Sequence, residues 1–202
     1  MASYRTSRVL PVMLILIVIA IAIASLVSIA RVMFPFDPAS TSQIAQVQTN
    51  RDNLLNSSVD HAVKMTVRGP IVADEVFRSY TIAISTSSRV MTTYKGYTNT
   101  KIDEKKLGNG AVAYEQFIYA LEKANLVKGK PLDGDSNDTR GVCASGDLYN
   151  FELITGDKTT SNLWASSCSD VKGSLDAKPY IMAGLFNSQI PGSDTLIRSI
   201  DL

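Results

Sequence analysis

Cys143–Cys168 reads CASGDLYNFELITGDKTTSNLWASSC, and the fold class follows from its pattern. Leu148–Ile154 alternates, with Tyr149, Phe151 and Leu153 on one side. That is the period of a half-buried strand. Gly156-Asp157-Lys158 is a turn signal, and Thr159–Cys168 returns as a second strand carrying Leu163 and Trp164. Cys143 precedes the first strand and Cys168 ends the second. A hairpin brings those two ends together, so a Cys143–Cys168 disulfide and the strand pairing support each other. The loop closed has roughly 25 residues, which the chain-entropy account values at about 3 kcal/mol.

Working outward toward the N-terminus, Gly108-Asn109-Gly110 precedes a helix in which Ala113, Phe117, Leu121 and Ala124 recur at helical spacing. Asn109 is its expected N-cap. Further back, Val63, Met65 and Val67 alternate with polar residues as a strand, and Gly69-Pro70 breaks it. Val76–Ser85 is a second strand with Tyr80, Ile82 and Ile84 on one face. A Ser85–Ser88 turn leads into Val90–Tyr97, which completes a hairpin. Toward the C-terminus, Lys128–Gly141 is a polar loop and Pro179–Gln189 a short helix, with Pro179 at its first position. Ile181 and Leu185 lie one turn apart in it, with Met182 and Phe186 beside them. Leu196, Ile197 and Ile200 form an apolar tail without an assigned place. The order is ββ–α–ββ–α, an α+β domain of antiparallel hairpins covered by two helices.

A different segment sets where this domain resides. Val9–Ala30 holds 22 residues and no charge. As a helix it would cover about 33 Å, enough for a hydrocarbon layer of roughly 30 Å. Arg5 and Arg8 precede it without an acid, so the short N-terminal side is expected to stay in the cytoplasm. This divides the chain into a cytoplasmic tail (1–8), a transmembrane signal anchor (9–30), a linker and juxtamembrane stalk (31–61), and an exported α+β domain (62–202). The competing reading is a signal peptide cleaved between Ala30 and Arg31. The apolar run is longer than the 7–15 residues typical of such peptides, which favours retention. Export places both cysteines in an oxidising compartment, where an even count is most simply a disulfide.

Charge excludes a dedicated nucleic-acid binder, since the whole chain is formally +1. Three of its 20 basic residues and none of its 19 acidic ones precede residue 32, leaving the remainder at −2. Several local patterns invite a reading as sites. Asp133-Gly134-Asp135-Ser136-Asn137 opens like a calcium loop, but Asp138 and Ala144 stand where Gly and Glu are needed. It reads as an Asx-rich surface turn. Ser169-Asp170-Val171-Lys172 has S-x-x-K spacing without the accompanying motifs. His61, the one histidine, reads as a surface residue with no partner nucleophile. Gly108-x-Gly110 lacks the Lys of a phosphate loop. Asn56-Ser57-Ser58 and Asn137-Asp138-Thr139 are glycosylation sequons. The aromatic residues invite a ligand-groove reading, but their spacing fits core packing as well. No catalytic, cofactor-binding or metal-ligating residue is assigned.

Three stretches carry a resemblance: Tyr97-x-Asn99 leading to Ala113-Tyr114-x-x-Phe117-x-x-Ala120-Leu121, Leu163-Trp164-x-x-x-Cys168, and Leu185-Phe186 ahead of Gln189-Ile190-Pro191. With the signal anchor, the chain resembles uncharacterised small exported proteins of candidate-phylum bacteria with reduced genomes. The resemblance implies a bacterial, surface-facing anchored domain and brings no catalytic residue. The expectation is therefore a single-pass membrane-anchored extracytoplasmic domain, not an enzyme, acting as a binding or envelope-scaffolding module. Its partners are the lipid bilayer through residues 9–30 and an envelope protein of unread identity, with no nucleic acid and no cofactor. The alternatives are an envelope hydrolase or inhibitor with a cleft in the α+β domain, and a secreted effector released near Ala30.

Overall fold

The structure, a computed structural model, describes residues 17–21, 23, 47–49, 51–56 and 60–202. Most of the expected span over 9–30 lies outside the described residues. Within it, 17–21 and 23 are helical. No helix among the described residues is long and apolar enough to cross a membrane. The chain divides into two compact units, Met1–Ser42 and Gln43–Leu202, and the second holds the sheet and the helices that cover it.

Six strands make one antiparallel sheet: β1 (His61–Arg68), β2 (Arg78–Ser85), β3 (Ser88–Lys95), β4 (Thr100–Gly108), β5 (Leu148–Thr155) and β6 (Lys158–Ser166). Their spatial order is β4-β3-β2-β1-β5-β6, so β1 sits between β2 and β5. Three helices follow the strands they cover: α1 (Ala111–Lys123), α2 (Pro179–Ser188) and α3 (Ser193–Arg198). The α+β class is as expected, but the order is ββββ–α–ββ–α–α rather than ββ–α–ββ–α.

The alternation in β1 divides the sheet. Val63, Met65 and Val67 are at most 3% exposed and point to the helices. Across the registers they meet Ile84, Ile82 and Tyr80 of β2, and Leu153, Phe151 and Tyr149 of β5. Phe186 of α2 is fully buried where α1 and β5 converge, 5.2 Å from the Phe117 ring edge-on and 6.0 Å from Phe151. Such ring pairs add about 0.5–1.5 kcal/mol beyond the area they bury.

Four local expectations are corrected. Strand β4, TKIDEKKLG, has no counterpart among the expected strands, because its charges mask any period. It exists because Gly96 (φ +70°) and Asn99 (φ +54°) turn the chain back onto β3. Its exposed charges suit an edge strand, where they discourage pairing with another chain. The N-cap of α1 is Gly110, not Asn109, whose Nδ2 donates to the Ser85 carbonyl at 2.6 Å. The buried face is accordingly Tyr114, Phe117, Ile118 and Leu121, and Ala113 is exposed. In α2 the buried face is Met182, Ala183 and Phe186, while Ile181 is exposed. The apolar tail forms α3 and its exit, and it buries Ile200 in the core.

The stalk expectation also changes. Residues 51–55 are helical, Leu54 is buried in the same core as the sheet, and Arg51 Nε lies 3.0 Å from Glu122 Oε1 of α1. This part of 31–61 packs onto the domain instead of standing off from it.

Candidate functional site

The second face of the sheet is built by the outward positions of the same strands. Register places Thr81, Thr66, Asn150 and Trp164 in one row across β2, β1, β5 and β6. The next row holds Ser79, Arg68, Leu148 and Ser166. None of α1, α2 and α3 covers this face. Instead two loops rise over it at one end, leaving a cleft of about 330 Å³.

One wall comes from the β1–β2 and β3–β4 connections. Phe77 and Tyr97 stack with ring centroids 4.0 Å apart. Tyr97 is held in place at both ends. Its N–H donates to Asp74 Oδ1 at 2.7 Å, and its hydroxyl donates to the Val72 carbonyl at 2.7 Å. Gly96 is required here as well as for its φ, since a Cβ would lie 3.0 Å from the Asp74 carboxylate. Asn99 completes the wall at the tip of the turn.

The opposite wall is the segment between α1 and β5. Its 3-10 turn, Gly134–Asn137, brings Asn137 Oδ1 to accept from Trp164 Nε1 at 3.1 Å. This covers the indole, leaving Trp164 only 4% exposed. Arg68 reaches across the cleft and donates to the carbonyls of Gly69, Thr139 and Val142. Burial pulls its pKa below the ordinary arginine value, with Tyr97 and Asp147 opposing. The guanidinium acts as a strap between the sheet and the loop. Behind it, Cys143 and Cys168 are disulfide-bonded with Cα atoms 5.6 Å apart. The expected pairing is therefore present and lies within the range that geometry allows. Ser167 backs the bond: its N–H donates to the Asp147 carbonyl and its Oγ accepts from Asp147 N–H, both at 2.9 Å.

The remaining cleft groups are neutral. The side chains of Thr66, Asn99, Asn150 and Asn162 all line it, and none makes a hydrogen bond to another described residue. Asn162 Oδ1 is buried without a partner. Buried polar atoms are nearly always paired, so this acceptor stands out among the cleft groups. Beside Asn162, Lys64 and Glu152 face each other across β1 and β5 as an ion pair, so their charges compensate.

The other sequence candidates do not enter this site. His61 is buried rather than surface-exposed, with Nδ1 3.5 Å from Thr155 Oγ1. Its side of β1 is the helix-covered one. Ser169 and Lys172 lie in an exposed turn after the disulfide, not on a helix that would align them. Asp133 and Asp135 stay exposed, and no group of three or more His, Cys, Asp or Glu able to hold a metal occurs among the described residues. The Asp138 carboxyl is held down to about 2 by the hydrogen bonds from Arg140, which tighten the turn next to Thr139. A larger hollow of about 710 Å³ lies between Val47, Gln48 and Arg51 and the end of α1; of its charged residues, Arg51 pairs with Glu122 and Lys128 with Asp176.

Sequence reasoning misses the cleft. It weighs the aromatic residues as one set, whereas the sheet separates them. Tyr80, Tyr114, Phe117, Phe151 and Phe186 are core, and Phe77, Tyr97 and Trp164 line the cleft. The available signal is Asn150 and Asn162, since asparagine is depleted in strands. No protein-family model matches the chain, and a comparison with curated proteins finds no match.

Proposed function

We propose that this chain is a membrane-tethered extracytoplasmic binding module, anchored by residues 9–30 and engaging its target through the open face of the sheet. The observation that carries the reading is the set of unpaired amide and hydroxyl groups converging on the cleft beneath a disulfide-closed loop. Amides and hydroxyls recognise by hydrogen bonding. At ordinary pH they do not exchange protons as a general acid or base would, which favours holding over turnover. The disulfide supports an oxidising location. The apolar, uncharged run Val9–Ala30, with arginines on its short side, supports the anchor and its direction.

The test is topological. A reporter enzyme that is active only outside the cytoplasm is fused after Leu202, and membranes are washed with carbonate. The expected result is an active reporter that stays in the pellet. An inactive reporter, or recovery of the domain in the medium beginning at Arg31, overturns the tethered arrangement.

A further inference from the structure

We infer that the cleft on the open sheet face takes a neutral, polyhydroxylated ligand, a saccharide unit. This rests on the reading of that face as the binding surface and adds the chemistry of what it holds.

Three observations lead there. First, the charged side chains at the cleft are engaged within the protein. Arg68 is bound to three backbone carbonyls, and Lys64 and Glu152 satisfy each other. A cationic ligand would meet no free carboxylate there, and an anionic one only a guanidinium whose N–H groups are largely directed at backbone carbonyls. Second, the unpaired groups are of mixed sense. The carboxamides of Asn99, Asn150 and Asn162 each offer two donors and one acceptor, and the Thr66 hydroxyl offers both. Hydroxyls on adjacent ring carbons present the same mixture, so one amide can donate to one hydroxyl and accept from its neighbour. An apolar ligand would instead bury these groups unpaired, at about 1–3 kcal/mol each. Third, the cleft has a flat apolar wall. The Phe77–Tyr97 stack is held rigid, and Tyr97 remains 49% exposed. A pyranose ring has a polar rim and an apolar C–H face, and such a wall packs against that face while the amides take the rim. Asn162 Oδ1 is the sharpest of these features, because it is a buried acceptor with no donor among the described residues.

Trp164, the only tryptophan, lies in the cleft and reports on it. The full chain is purified in a detergent without a sugar headgroup and titrated with glucose, N-acetylglucosamine and their β-1,4-linked trimers. A capped alanine dipeptide serves as comparator. The expected result is a saturable change in Trp164 emission with at least one saccharide in the millimolar range. Asn162→Ala and Asn150→Ala should each weaken it about tenfold, the usual effect of deleting one hydrogen bond to a ligand. Gln116→Ala, on the exposed side of α1, should leave it unchanged. Near-ultraviolet circular dichroism confirms that each variant keeps its native packing.

Absence of saturation by every saccharide at tens of millimolar overturns the inference. Saturation by the peptide, weakened by Asn162→Ala, also overturns the ligand class while leaving the cleft as the binding surface. Saccharide binding insensitive to both asparagine variants places the ligand elsewhere and overturns the site. Saccharide binding together with a cytosolic reporter would sink the tethering and leave this inference standing.

Discussion

Gly173→Ala and Gly184→Ala should shift stability in opposite directions, for reasons the backbone makes explicit. Gly173 lies where the chain after the disulfide runs back along the outer edge of β6. A Cβ there would sit 2.1 Å from the Trp164 carbonyl oxygen and 2.9 Å from Ala165 Cα, both backbone. Neither atom can rotate away, so the strands must separate by about 1 Å to restore van der Waals spacing. The contacts at stake are Leu175 N–H to the Trp164 carbonyl at 2.9 Å and Trp164 N–H to Ser174 Oγ at 2.8 Å. Stretched by that amount they cease to be hydrogen bonds. Losing both in a buried place costs about 1–3 kcal/mol per group left unpaired. The smaller entropy of the unfolded alanine chain returns about 0.4–1 kcal/mol. The net expectation is a destabilisation of about 2–4 kcal/mol. For a unit of this size it lowers Tm by roughly 10 °C. Gly184 is the opposite case. It lies inside α2, is exposed, and has no atom within 4 Å of an added Cβ. Alanine there should gain about 0.5–1 kcal/mol from helix propensity alone. The assay is thermal unfolding of the full chain followed by circular dichroism, with Trp164 emission recorded alongside. A Gly173→Ala variant within about 0.5 kcal/mol of the parent would refute the close approach on which the expectation rests.

Two further predictions address other parts of the domain. Leu54→Ala should cost about 2–5 kcal/mol, because Leu54 is 2% exposed in the main core; a Tm unchanged in the same unfolding assay would return residues 51–55 to the role of a loose tether. In alkali, three of the eight tyrosines should ionise late, since burial pushes Tyr80, Tyr114 and Tyr149 up to about 12. Their neutral form is the one the fold favours, so the stability they contribute is complete below pH 10 and is lost as pH rises from there through 12. Spectrophotometric titration of tyrosinate against a denatured control checks this, and eight tyrosines titrating together near pH 10 in the folded protein would contradict it.

Much of the scaffold is legible in the sequence because one face of each inner strand must exclude water. Val63-Met65-Val67 and Tyr80-Ile82-Ile84 alternate for that reason, and the cysteines flank a hairpin whose ends must meet. Legibility fails where burial does not constrain the residues. Strand β4 is charged along its length because it is an edge, so hydropathy says nothing about it. In α1 and α2 the apolar residues extend around more than the buried side, so the pattern allows a frame displaced by one position. Ala113 and Ile181 look as apolar as Tyr114 and Met182, and only the sheet decides which of them is covered. The cleft fails for a further reason. Thr66, Asn99, Asn137, Asn150 and Asn162 are spread over nearly a hundred positions and share no motif. The register of β1 against β5 and of β5 against β6 joins Thr66, Asn150 and Asn162, and two loops add Asn99 and Asn137; local spacing reveals neither.

That register also explains why the cleft and the core are a single construction. A slip of one residue in β1–β5 would exchange Met65 for Thr66 on the helix side. It would strip the core of a fully buried side chain and empty the cleft row at the same time. The core thus guards the positions of Thr66, Asn150 and Asn162 more strictly than any hydrogen bond among their side chains, which make none. On the loop side the same task falls to the Cys143–Cys168 bond and the Arg68 strap, which hold Asn137 and Thr139 over the sheet. The unpaired amides can remain unpaired because the surrounding structure leaves them no alternative arrangement. On the proposed reading, a cleft pre-formed in this way would avoid most of the ordering cost of association, which would let a small hydrogen-bonding site hold a ligand that offers little area to bury.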